Sequence, residues 1–102
     1  MTNTFTLKRK TDTLIKIGLL YEEQKDYQQA MREYEAAIIG DKNNFKTYQH
    51  LAWCSFKQQK YDKALEYLKQ CQQKKQGQAD TLYIQGRCHI EKGDMKTALD
   101  LF

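Results

Sequence analysis

Apolar and polar positions along this chain repeat at helical spacing. Leu14, Ile17, Gly18 and Tyr21 stand at i, i+3, i+4 and i+7, which places them on one face of a helix. The same arrangement returns at Tyr48, Leu51, Ala52 and Ser55, and again at Leu82, Gln85, Gly86 and His89. Strand-type alternation of β-branched residues is missing, and the polar positions are filled by Lys, Gln and Glu, which are good helix formers. The pattern predicts helices near 11–24, 28–40, 45–58, 62–75, 79–92 and 96–102, and therefore an all-α fold.

The faces repeat with a fixed period. Gly18, Ala52 and Gly86 are 34 residues apart, as are Ala30, Ala64 and Ala98, and Leu14, Tyr48 and Leu82. Tyr27, Tyr61 and Met95 keep the same step. Small residues on one helix let a second approach closely, and Ala30 and Ala37 supply the matching flat surface. A larger side chain at Ala30 or Ala64 would overpack, at a cost of about 1–3 kcal/mol. Turns are expected within each unit at Lys25-Asp26, Gln59-Lys60 and Gly93-Asp94. Between units they are expected at Asp41-Lys42-Asn43-Asn44 and Lys75-Gln76-Gly77-Gln78, with Gly77 suited to a helix C-cap.

In period and residue type the chain resembles the tetratricopeptide repeat family, whose unit is a helix–turn–helix of about 34 residues. Leu14, Ile17, Gly18 and Tyr21 fall where that family has Trp, Leu, Gly and Tyr. Ala30, Tyr34 and Ala37 fall where it has Ala, a large aromatic and Ala; Ala64, Leu68 and Cys71 follow in the second unit, and Ala98 and Phe102 in the third. The family's closing proline is replaced by Lys42 and Gln76. The resemblance implies an α-α superhelix of two complete hairpins and a truncated third. Its repeats would span 11–44, 45–78 and 79–102, behind a basic N-terminal segment, 1–10. Because Leu99, Leu101 and Phe102 have no following helix to cover them, the reading favours a piece of a longer array, with self-association through the third unit as the alternative.

Composition narrows the function. The 102 residues suit one domain, and no apolar stretch reaches membrane-spanning length. With no signal-like run in Met1–Asp12, a cytoplasmic or nuclear location is expected. The net charge is +4, but Lys and Arg are spread out, which argues against a nucleic-acid stripe and against an RNA-binding helical repeat. No phosphate loop, nucleophile elbow or metal-binding His pair occurs, so neither enzyme activity nor a cofactor is expected. Cys54, Cys71 and Cys88 cannot all pair internally. Although His50 and His89 stand near two of them, the three thiols read as small buried packing residues rather than metal ligands.

The expected function is a non-catalytic scaffold that holds a peptide or helix in the concave groove. The first helix of each unit would face that groove with two columns, giving Ile15, Leu19, Gln49, Trp53, Tyr83 and Arg87. Aromatic and Arg side chains are typical interface anchors. The bound segment would set apolar groups on Trp53 and Tyr83 and an acidic group near Arg87; alternatively, Phe5 or Leu7 would cover Trp53. Chaperone-binding tetratricopeptide domains grip a C-terminal carboxylate with Lys, Asn and Arg. The matching positions here are Ile15, Leu19, His50, Asp80 and Ile84, so that subclass is disfavoured. A second resemblance, carried by Lys16–Glu22, Gln49–Trp53, Ala64–Leu68 and Gly86–His89, is to repeats of the general transcriptional co-repressor and of tetratricopeptide-bearing histone demethylases. It implies a nuclear assembly module.

Overall fold

The computed structural model describes residues 4–72 and 78–93. Five helices follow one another: α1 (Thr4–Glu23), α2 (Tyr27–Gly40), α3 (Phe45–Lys57), α4 (Tyr61–Gln72) and α5 (Gln78–Glu91). Helices α1 and α2 pack as one hairpin and α3 and α4 as the next; α2 packs on α3, and α5 packs on both α4 and α3. The all-α superhelical arrangement is the one expected. Helix α1 begins at Thr4, not near residue 11. Nothing between Thr4 and Lys10 breaks a helix, and Leu7, Lys8, Arg9 and Lys10 all favour one. The expected sixth helix at 96–102 and the Gly77 cap lie outside the described residues.

The turn inside each hairpin is built the same way. Lys25, Gln59 and Gly93 all have positive φ, at 63°, 65° and 83°, and they are 34 residues apart. In the first turn the Lys25 N–H donates to the Glu22 carbonyl and the Asp26 N–H to the Tyr21 carbonyl. In the second, the Gln59 N–H donates to Phe56 and the Lys60 N–H to Ser55. This is the Schellman pattern, in which a left-handed residue lets the chain satisfy the last carbonyls of the ending helix. Asp26 then starts the next helix, accepting the Gln29 N–H at 3.4 Å.

The connection between units relies on side-chain caps. Asp41 Oδ1 accepts the Asn43 N–H at 3.2 Å, and Asn44 Oδ1 caps α3 by accepting the Thr47 N–H at 3.3 Å. Asp and Asn do here what the missing proline does in the consensus: they fix the turn by local hydrogen bonds instead of a locked φ.

Among the described residues, two buried clusters form the core. One gathers Ala30, Met31, Tyr34, Leu51 and Cys54, and the other Ala52, Phe56, Ala64, Leu68, Cys71, Ile84 and Cys88. Tyr48 and Tyr67 pack against both, with ring centroids 6.5 Å apart. The small columns are buried as expected, with Ala30, Ala52 and Ala64 fully enclosed. Gly18 faces the Tyr34 ring so closely that a Cβ would lie 2.6 Å from Cε1. Burial pushes the thiols of all three cysteines up, Cys71 and Cys88 to about 11, and all three are packed in the core.

Candidate functional site

The first helices of the units, α1, α3 and α5, jointly line a groove of about 310 Å³. Glu22 enters from α1, Gln49, His50 and Trp53 from α3, and Asp80, Tyr83 and Ile84 from α5. The 3.6-residue turn explains the grouping: Gln49 and Trp53 are i and i+4, as are Asp80 and Ile84, so each pair projects from one helix face.

Of the six residues expected to face a partner, Gln49, Trp53 and Tyr83 line this groove. Arg87 stands beside it. Its Nη1 donates to the Tyr83 hydroxyl at 2.8 Å, and its guanidinium lies 5.2 Å from the Phe56 ring centroid and 5.7 Å from that of Tyr83. Ile15 is half-buried and packs against the cluster around Tyr34 and Leu51. Leu19 is exposed and is not among the residues that line the groove. Trp53 is half-buried, stacked on Phe56 at 5.5 Å and packed on the second core cluster, with Lys57 Nζ 5.2 Å from its centroid. Phe5 and Leu7, offered as covers for Trp53, have side chains outside the described set.

The wall formed by α1 is a polar knot absent from the sequence expectation. Glu22 Oε1 accepts from the Tyr34 hydroxyl at 2.9 Å, lies 3.1 Å from His50 Nδ1 and is approached by the Cys54 thiol at 3.6 Å. The His50 ring stacks on Tyr34 at 5.3 Å. A carboxylate in the last turn of a helix opposes the helix dipole, and donors from α2 and α3 offset that cost at Glu22. Burial alone would raise the Glu22 carboxyl. Hydrogen bonding and charge from His50, joined by Tyr34 and Cys54, outweigh it and keep the group below the ordinary carboxylate value. The same burial and the neighbouring Glu22 drive the Tyr34 hydroxyl and the Cys54 thiol upward, so both remain protonated donors. One signal of this knot is present in the repeat itself. Glu22 shares its column with Phe56 and Ile90, and a lone carboxylate among apolar residues marks a position with a special partner.

Across the groove, Gln49 Nε2 donates to Thr81 Oγ1 at 3.2 Å, tying α3 to α5. Among the described residues no group of three or more His, Cys, Asp or Glu side chains is placed to hold a metal ion. Also among the described residues, no helix is long and apolar enough to cross a membrane.

The hairpin repeat, its small columns and its groove define a helical-repeat protein of the tetratricopeptide class. The tetratricopeptide repeat family profile matches residues 21–80, and the chain belongs to that family. Tetratricopeptide repeats are in general a non-catalytic fold for protein interaction. Among solved structures, the chain is similar to the type III secretion translocator chaperone SycD of Yersinia enterocolitica. The TM-score is 0.85 at 15% identity, over 91% of this chain and 70% of that one. It is also similar to the N-terminal domain of stress-induced protein-1 (STI-1) of C. elegans, with a TM-score of 0.82 at 18% identity, over 98% of this chain and 83% of that one. No curated protein matches the sequence significantly. The likeness to co-repressor and demethylase repeats gains nothing from these matches.

Proposed function

We propose that the protein is a binding scaffold whose groove between α1, α3 and α5 receives an extended or helical segment of another protein. The observation that carries this reading is the groove itself: about 310 Å³, lined from three helices, with Trp53 and the 48%-exposed Tyr83 on its walls. Exposed aromatic side chains beside a concavity are costly in water and serve as anchors when a partner covers them. Leu19, exposed on α1, offers further apolar surface for a longer ligand, while Ile15 packs into the core.

A carboxylate-terminated ligand suits this groove poorly, because Glu22 and Asp80 line it and would repel the charge. That reading keeps the protein apart from the carboxylate-clamp subclass.

The test is a selection of short random peptides on the immobilised protein, followed by titration of the best binders. Tyr83→Ala, at an exposed position, is expected to weaken binding by more than about 1 kcal/mol with helicity unchanged. Trp53→Ala is expected to weaken it at least as much, and circular dichroism and thermal melting separate lost binding from lost packing. Selected peptides that bind both variants as well as the parent protein would end the groove assignment.

A further inference from the structure

The charge in the groove runs against the charge of the molecule. The chain carries a net +4, yet among the described residues the formally charged ones lining the groove are Glu22 and Asp80, apart from His50, which faces Glu22. Arg87, the residue that would draw an acidic partner, has its guanidinium engaged by the Tyr83 hydroxyl and the Phe56 and Tyr83 rings. All three donors around Glu22 converge on Oε1, and none of them takes Oε2. The remaining lining is Gln49, Trp53, Tyr83 and Ile84, a surface that accommodates an aliphatic stem. Lys57 over Trp53 and Arg87 over Phe56 and Tyr83 already cover these rings, so the cation of a partner is drawn to the carboxylates and not to the rings.

We propose that the groove recognises a basic side chain, a lysine or arginine of the bound protein segment, with the cation set between Glu22 and Asp80 and its stem along Trp53, Tyr83 and Ile84. This rests on the groove reading above and gives it a partner chemistry. Two carboxylates on separate helices, α1 and α5, can approach one cation from both sides. Glu22, with its side chain 20% exposed, attracts a cation more strongly than a fully solvated carboxylate does. Asp80 alone would be explained by its place in the first turn of α5, where it complements the helix dipole. Glu22, at the end of α1 where the dipole disfavours it, has no such explanation. The donors that hold it there keep it ionised and aimed at the groove.

The experiment uses the same selected peptides. They are expected to share a Lys or Arg next to an apolar residue and to lose affinity with rising salt. Replacing that basic residue by norleucine, or by citrulline where it is Arg, is expected to weaken binding about tenfold. Asp80→Asn is expected to cost about threefold, as for a partly exposed charge pair, and Glu22→Gln more. Asp80→Lys is expected to shift the selection away from basic peptides. Peptides that depend on Tyr83 but contain no needed basic residue, or that bind Asp80→Lys undiminished, overturn this inference and leave the groove reading standing. Peptides indifferent to Tyr83→Ala overturn both. Thermal melting of each variant checks that it is folded, and Asp80, being exposed, gives a readout even where Glu22→Gln unfolds.

Discussion

At the scale of single residues, Glu22 connects stability to the site. Its carboxyl titrates lower in the folded chain than the ordinary value of 4.5, so folding favours the ionised form. The stabilisation is therefore complete above about pH 4.5 and is lost as pH falls through the lower, folded value. Urea unfolding at a series of pH values should show stability dropping below about pH 4.5, and Glu22→Gln should flatten part of that drop. An unchanged slope in the variant would mean that Tyr34, His50 and Cys54 do not hold the carboxylate as described. Tyr34 was readable in advance as the large aromatic of the first unit, because the tetratricopeptide resemblance places it between the small residues Ala30 and Ala37. Glu22 was not: periodicity marks which face a residue occupies, whereas the knot depends on donors 12, 28 and 32 residues away in the chain.

At the scale of elements, the hairpin turns were legible and their strain was not. The sequence placed them at Lys25-Asp26, Gln59-Lys60 and Gly93-Asp94, and Lys25, Gln59 and Gly93 indeed carry the left-handed backbone. Only Gly93 announces that conformation by its residue type. Lys25 and Gln59 adopt it at a cost of about 1–2 kcal/mol that glycine largely avoids. Lys25→Gly and Gln59→Gly are each expected to raise stability by about 0.5–1 kcal/mol, net of the extra freedom glycine gains in the unfolded chain. Denaturant midpoints measure this, and a loss in both variants would show that the Schellman turns are not strained. The groove splits in the same way. Gln49, Trp53 and Tyr83 followed from helix columns, while the α1 residue lining the groove is Glu22, one turn nearer the helix end than Leu19. Which turn of α1 reaches α3 and α5 is decided by how the helices stack, and no single helix pattern encodes that.

At the scale of the whole molecule, long-range order is built from neighbouring helices. Apart from the contact of α3 with α5, the substantial packing joins helices adjacent in the chain. Such arrays store stability as unit terms plus interface terms. Repeat spacing revealed the units. It did not reveal that their cores are two separate clusters, because that division depends on the depth of each side chain and not on its period.

Tyr48 and Tyr67, which pack against both clusters, should couple the two sides together with α3, which supplies residues to each. With both rings in place, an opening on one side strips contacts from the other, and the helices should exchange their amide hydrogens as one cooperative body. Tyr48→Ala removes half of that seam. Hydrogen exchange should then resolve two bodies, α1–α2 and α4–α5, whose opening energies differ by about 1 kcal/mol or more. Protection that stays uniform in the variant would place the coupling elsewhere, for instance in the Tyr67 hydroxyl bond to Glu35. If the bodies do separate, two aromatic rings set the length over which a pull on α5, the helix that carries Tyr83 and Asp80, is felt at α1.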